Sequence, residues 1–343
     1  MTRTRGPAAV ALAILLAASC GGDAGSDPPA SASPAASASS SGSVAPPPAT
    51  LEIARRVETG GEPIGIAEGF GSIWVVNSEF RSGGTPSVVR IDPGDGAVVA
   101  TIEVGAVPLE VLAAEGSVWV SNSEDDTVSR VDPERDDVVA TIRTCDAPEG
   151  LAAAEGSIWV ACEGSDEVGV IDPAADRMRS TTPVGNEPRF VVAAFDSVWA
   201  SNYLDGTLSR IDPTNGEVVA TVTTAFGPQI MLPAFGSLWV SSVDEAVVQR
   251  VDPDLDELAA TVEDVGIVPD GLFELDGAVW VASDSGPEIH RIDPGTEDVT
   301  GPWIVADQGS INANQLVVAL DGELWLPLLE SGEVVAAVPP AAA

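Results

Sequence analysis

Three observations on the sequence predict an all-β fold, a seven-bladed β-propeller of four-stranded blades whose last blade is closed by the N-terminal strand. Tryptophan recurs in register at Trp74, Trp119, Trp159, Trp199, Trp239, Trp280 and Trp325, at intervals near 40 residues. Each interval holds four short runs of β-forming residues bounded by Gly, Asp and Pro. The seventh copy stops after its third run, and a matching run stands at the front of the repeat region. Four-stranded units at this spacing, radially repeated, build propeller blades.

Ahead of the repeats come two segments that do not belong to the fold. Arg3 and Arg5 form a basic n-region and Val10 to Ala18 an apolar h-region, too short to span a bilayer, so residues 1–19 read as a signal peptide. Leu16-Ala17-Ala18-Ser19 leading into Cys20 resembles a bacterial lipobox, which implies cleavage before Cys20 and lipidation of its thiol, although Ala17 stands where Leu is favoured. An ordinary signal peptide with an incidental Cys is the alternative. Residues 20–50 are almost entirely Gly, Ser, Ala, Pro and Asp, with no periodicity and nothing to bury, and read as a tether. The expected location is therefore the outer face of the cytoplasmic membrane, with the membrane touched only through the lipid.

Within the repeat region, 51–338, the third copy shows the plan: Glu149 to Ala154, Ser157 to Cys162, Glu167 to Asp172, then Arg177 to Pro183. No helical period of comparable length competes. An Asp-Pro follows the Trp by thirteen residues at Asp132, Asp172, Asp212, Asp252 and Asp293, and Asp92 follows Trp74 by eighteen. In Asp212-Pro213-Thr214-Asn215-Gly216 the Asp caps a turn, Pro presets φ and Gly takes the left-handed position. Eleven residues before each Trp stands Pro63, Pro108, Pro148, Pro188, Pro228 or Pro269, with Asn314 in the seventh copy. The last copy has a third strand, Glu333 to Val338, and no outer one. Leu51 to Gly60 followed by Pro63 matches Val98 to Gly105 followed by Pro108, so the N-terminal strand should fill the gap and remove two free edges. Residues 339–343 are a short tail.

The units Trp119-Val120-Ser121-Asn122, Val128-Ser129-Arg130-Val131-Asp132-Pro133 and Val139-Ala140-Thr141-Ile142 resemble the YVTN-repeat propellers and, more faintly, the streptogramin lyase group. The resemblance covers about residues 51–338. It implies the fold and leaves function open, because propellers host binders, scaffolds and enzymes alike.

Charge excludes one class of partner. The chain carries 53 acids and 15 Lys plus Arg, all of them Arg, and loss of Arg3 and Arg5 with the signal peptide leaves 13 basic residues. Such a surface repels phosphate backbones and anionic headgroups, so nucleic-acid binding is not expected.

Recurrent residues read as architecture. The in-register Trp fill space between twisted sheets, the Asp at each Asp-Pro are turn caps, and Arg90, Arg130, Arg210, Arg250 and Arg291, two before those Asp, should pair with acids on neighbouring strands. Function belongs where the copies differ. After the Pro position stand Ile64, Leu109, Glu149, Arg189, Gln229, Asp270 and Gln315, with Glu110 adjoining, a mixed set at the channel mouth that suits a polar ligand or a water-filled pore. Two loops are about five residues longer than their counterparts, Ser78 to Pro86 and a stretch within Ala306 to Ala313, and ring closure makes them neighbours. Long loops on a rigid scaffold are a common site design, which adds Phe80, Arg81, Asp307, Asn312, Asn314 and Gln315 to the candidate ligand or partner patch. Trp303, out of register on the outer strand of blade six, either packs beneath the long crossover or anchors a partner.

Cys145 and Cys162 fall on one face of blade three, with hairpin counting placing Cys162 opposite Glu149, and two Cys in an exported chain favour a disulfide over two buried thiols. His290, the single His, sits on a third strand away from the channel and reads as structural. Neither a nucleophile–base–orienter set nor a metal-ligand cluster is evident, and Glu124-Asp125-Asp126 lacks a Ca²⁺ ligand pattern. No cofactor is expected. The leading reading is a monomeric, non-enzymatic binding or scaffold propeller for a small ligand, cell-wall component or protein partner. The alternative is a lyase-like or quinoprotein-like enzyme using Glu149, Arg189 and Asp270, against which the missing channel His counts. A domain stabilising a membrane complex is a third.

Overall fold

The computed structural model describes residues 48–78, 84–283, 286–305 and 317–340. The signal peptide, Cys20, nearly all of the tether, and Phe80, Arg81, Asp307, Asn312, Asn314 and Gln315 lie outside them. The strands form seven blades in a ring; in blades one to six the first of four consecutive antiparallel strands is innermost, and in blade seven Val318–Leu320 is innermost. Blade three has strands Pro148–Ala154, Ser157–Cys162, Glu167–Asp172 and Arg177–Pro183, within one residue of the sequence reading. The second strands, such as Ser117–Asn122 and Ser157–Cys162, are buried along their whole length because a blade covers each face.

Closure is double. The strand Glu52–Glu58 pairs antiparallel with Glu333–Val338 and completes blade seven as predicted. Ala49–Thr50, assigned to the tether on composition, pairs parallel with Trp303–Ile304 and adds a fifth strand to blade six. Leu51 between them is buried, and its N–H donates to the Ile304 carbonyl at 2.8 Å. A single run of ten residues thus stitches two blades. This also locates Trp303: its ring lies 5.3 Å from Trp280 on a half-buried outer strand that Ala49–Thr50 covers.

The in-register Trp are the core, each at most 3% exposed. Trp119 sits in one apolar cluster with Leu151, Ile158 and Ile171 of the next blade, which is the inter-blade packing that the 40-residue period implies. Its indole N–H donates to the Ala114 carbonyl five residues earlier, and Trp74, Trp159, Trp199, Trp239 and Trp280 repeat that bond.

The recurrent Arg do more than expected. Arg90, Arg130, Arg210 and Arg250 lie over their own blade's Trp, with the guanidinium carbon 5.2–5.9 Å from the ring centroid. Each then reaches an acid of the next blade: Asp136, Asp176, Asp256 or Glu297 at 2.7–3.0 Å. These acids are in the hairpin before the outer strand, where sequence reasoning had expected strand partners. The long side chain passes the edge of its own blade before it ends. All four acids occupy the left-handed turn position, φ 49–65°, where Gly96 and Gly216 stand in the other two copies. Those two glycines belong to blades one and four, whose preceding blades have Ala336 and Val170 in place of the Arg. At this turn position an acid stands where the preceding blade offers an Arg, and glycine where it does not. Blade seven repairs its missing Arg from the closing strand: Arg55 lies over Trp325 at 5.9 Å and pairs with Glu323.

The Cys145–Cys162 disulfide is formed, with Cα atoms 5.7 Å apart. Cys162 faces Pro148 rather than Glu149, because a bulge between Pro148 and Leu151 shifts the register.

Candidate functional site

The innermost strands begin at the mouth of the central channel, on the face opposite the Trp–Arg clamps. Just before the prolines, Val107, Ala147 and Glu187 all have φ near 50°, so a left-handed step turns the chain from the outer crossover into the channel. Serines of the second strand then fix the entering backbone: Ser121, Ser201 and Ser241 accept from the N–H of Glu110, Phe190 and Ile230. Ser201 also donates to the Gln229 carbonyl at 2.9 Å and ties blade four to blade five.

On this common scaffold the mouth is lopsided. Ile64 and Leu109 of blades one and two are buried in their shared apolar cluster. Blades three to six supply Glu149, Arg189, Gln229 and Asp270, of which Glu149, Gln229 and Asp270 are less than 8% exposed. Gly150 makes the contact between blades three and four close enough: a Cβ there would lie 2.6 Å from the Arg189 carbonyl oxygen and 2.7 Å from Phe190 Cα. Only glycine allows that approach.

Arg189 is the hub. Its Nη2 lies 3.4 Å from Glu163 and 3.5 Å from Glu187, and its guanidinium stacks 3.7 Å from the Tyr203 ring centroid. The Tyr203 hydroxyl donates to Asp244 at 3.0 Å. Glu163 follows Cys162 directly in a short 3₁₀ turn, so the disulfide anchors one of the hub's partners. Burial would lower the Arg189 pKa, but Glu149, Glu163, Tyr203 and Glu187 together hold it above its usual value. Burial pushes the Tyr203 hydroxyl up to about 12.

The acids are raised as well, in their case toward the neutral form. Burial raises Glu149 to about 8; Arg189 opposes the rise, while Glu163, Asp270 and Glu187 add to it. Glu110 is raised well above the carboxylate range by burial, partly offset by the Leu151 N–H that its carboxylate accepts at 2.5 Å. Burial also raises Glu163. Glu149 is therefore largely protonated at neutral pH, and Glu110 and Glu163 shift in the same direction.

Glu163, Glu187, Tyr203 and Asp244 escaped the sequence reading. Glu187 precedes Pro188 and Glu163 follows a strand end, positions on the same face as the Pro-following set, so counting the mouth from one position per blade missed them. His290 is buried on the third strand of blade six, with Nε2 3.3 Å from Glu288. Among the described residues no group of three or more His, Cys, Asp or Glu could hold a metal ion. A depression of about 590 Å³ lies at the seam of blades seven and one, lined by Glu58, Gly61, Glu62 and Glu330 among others. A second, of about 750 Å³, lies on the opposite face against Arg90 and Arg130, where the lining residues are those of the clamps.

No family model matches the sequence, and no curated protein matches it. Solved structures do match. Kuenenia stuttgartiensis hydrazine synthase is similar with a TM-score of 0.68 at 15% identity, covering 82% of this chain and 96% of that one. Virginiamycin B lyase from Staphylococcus aureus is similar with a TM-score of 0.71 at 13% identity, covering 83% of this chain and 99% of that one. At these identities the likeness is one of fold.

Proposed function

We propose that the chain is an exported, lipid-anchored binding propeller whose channel mouth receives a small ligand, a cell-wall component or a protein partner. The observation that carries this reading is the lopsided mouth, where four successive blades hold Glu149, Arg189, Gln229 and Asp270 largely out of water. Burying ionisable groups costs several kcal/mol each, and the apolar Ile64 and Leu109 show that this scaffold fills the same position without them. Buried groups with strongly perturbed pKa values are a common mark of a site. Export and anchoring rest on Arg3, Arg5, the apolar run and Cys20, and the Cys145–Cys162 disulfide fits an oxidising compartment.

Two measurements test this. Cys20→Ser should move the full chain from the detergent to the aqueous phase on Triton X-114 partition and abolish labelling by a fatty-acid probe; retention in detergent would overturn the anchor. The triple variant Glu149→Gln, Arg189→Met, Asp270→Asn should keep the thermal transition and lose binding of any ligand found for the wild type. A second reading, a lyase-like or quinoprotein-like enzyme at the same mouth, is favoured by one observation: a carboxyl titrating near 8 beside an arginine is poised for acid–base work. If the triple variant abolishes a measured turnover while staying folded, binding alone is the wrong description.

A further inference from the structure

We propose that the rim of the mouth over blades four to six is a docking surface for a protein partner whose contacting segment is apolar and flanked by Lys or Arg. This surface is separate from the buried polar residues of the mouth. Leu204, Phe226 and Ile267 are 53%, 58% and 71% exposed. Eight of the thirteen large hydrophobics exposed among the described residues lie between Leu204 and Ile267, under a quarter of that length. Exposed apolar residues scattered singly need no explanation, but their concentration on one sector does.

The repeat supplies a control for each of the three. Phe226 and Ile267 stand thirteen residues before their Trp, where blades two to four have Ala106, Asp146 and Asn186. The backbone there is held in the same way whatever the side chain: the N–H groups of Ala106, Asn186 and Phe226 donate to Asp125, Asp205 and Glu245 at 2.8–3.2 Å. Leu204 stands five residues after its Trp, where blades two, three and five have Glu124, Gly164 and Asp244. The fold thus asks for no large apolar side chain at any of these places. Leu204 and Phe226 also belong together. The Gly206 carbonyl accepts the Thr224 N–H at 2.9 Å, and a Cβ on Gly206 would lie 3.6 Å from Phe226 Cα, so the turn of blade four rests on the crossover into blade five. Ile267 repeats the position of Phe226 one blade further on.

Charge selects the partner. The turns and crossovers at this rim, 202–206, 224–228, 242–246 and 263–268, hold Asp205, Asp244, Glu245, Glu263 and Asp264 and no basic residue. An apolar centre with an acidic border fits a segment whose own border is basic. A second copy of the chain, with its net charge of −38, brings like charge instead.

The test is fluorescence anisotropy at pH 7 with the full chain in phosphatidylcholine nanodiscs, empty nanodiscs serving as the blank. Three labelled peptides are compared: Lys alternating with Leu and Phe, the same with Glu for Lys, and the same with Ser for Leu and Phe. The first should bind, the second should not, and the third should bind at least about tenfold more weakly. Phe226→Ser combined with Ile267→Ser should weaken the first peptide by a similar factor, and the single substitutions serve should the pair fail to fold. Phe70→Ser, on the opposite face, should leave its affinity unchanged, and so should Glu149→Gln. Equal affinity for the Lys–Ser peptide would reduce the contact to charge and overturn the docking surface, as would binding by none of the peptides or binding unchanged in the rim variant. Equal affinity for the Glu peptide would overturn the basic partner. Loss of binding in Glu149→Gln alone would place the peptide inside the mouth, overturning the rim and keeping the mouth as a site. A wild-type dimer in sedimentation velocity that dissociates in the rim variant would make a second copy the occupant and overturn the proposal.

Discussion

The two faces of the ring use repetition in opposite ways. On the clamp face both the position and the residue recur: Trp over carbonyl, Arg over Trp, acid of the next blade under Arg. At the channel mouth the position recurs and the residue changes, from Ile64 and Leu109 to Glu149, Arg189, Gln229 and Asp270. A contact needed at every blade junction must be made by the same residues each time. A ligand that sits once in the ring needs each blade to offer something different. Damage to the clamp face should therefore be read in stability, and damage to the mouth in binding or in pH dependence.

The largest effect should come from ring closure, on which both faces depend. Deleting residues 48–60 removes the outer strand of blade seven and the added strand of blade six, and exposes the edge of Glu333–Val338. Burial of Leu51 and Val57 alone contributes about 1.5–3 kcal/mol each, before the lost ladder is counted. Cooperative thermal unfolding monitored by circular dichroism should be abolished; a transition at the wild-type temperature would show that the ring closes without its seam.

Trp119→Ala should come next, at about 3–5 kcal/mol in chemical denaturation, since the ring is fully buried between blades two and three. The mouth should keep its ligand affinity in this variant. Replacing Cys145 and Cys162 by Ala should cost about 2–4 kcal/mol. This substitution crosses the divide, because Glu163 follows Cys162 and binds Arg189; it is expected to lower both stability and binding, where Trp119→Ala lowers stability alone.

Legibility followed the same division. Blade number, strand limits, the closing strand, the disulfide and the core Trp were all readable, because a pattern seen seven times averages out local ambiguity. The Pro-following residues Glu149, Arg189, Gln229 and Asp270 were found by asking where copies differ. What failed was finer. A bulge after Pro148 moved Cys162 by one residue, Ala49–Thr50 paired despite a composition suited to a tether, and the partners of the Arg were turn acids of the next blade. Each of these depends on three-dimensional neighbours that no single repeat contains. The exchange of Gly96 and Gly216 for acids elsewhere was visible in the sequence, and so was the matching loss of Arg at Ala336 and Val170; their connection required the blade order in space.

At the mouth, Glu149→Gln should reveal itself through pH. The folded-state pKa, about 8, lies above the ordinary value of 4.5, so between these limits the folded chain keeps a proton that the unfolded chain has released. Its contribution is fully present below about 4.5 and is lost as pH rises toward 8, at a slope of about 1.4 kcal/mol per pH unit. Glu110 acts in the same direction. Glu149→Gln should remove one such slope from urea-unfolding free energies measured between pH 5 and 8, leaving the variant more stable than wild type near pH 8. Parallel curves would mean that Glu149 is ionised in the folded protein without penalty.

The smallest effect separates the two arginine–aromatic stacks. Arg130 lies over Trp119 at 5.3 Å and Arg189 over Tyr203 at 3.7 Å, yet they should fail differently. Arg130→Met should cost about 1 kcal/mol, given the partial exposure of its pair with Asp176, and leave the mouth unchanged. Part of that cost is the left-handed backbone of Asp176, φ 49°, which loses the partner that justified it. Asp176→Gly in the Arg130→Met background should therefore be stabilising by about 0.4–1 kcal/mol, recreating the pairing of Val170 with Gly216 one junction further on, whereas Asp176→Gly in the wild type should destabilise. A double-mutant cycle with no coupling would show that the Arg and the turn acid were chosen independently. Arg189→Met has no such remedy, because Glu163, Glu187 and Glu149 all lose their cation at once, and its signature should be lost binding and raised carboxyl pKa values, with no glycine exchange able to restore them.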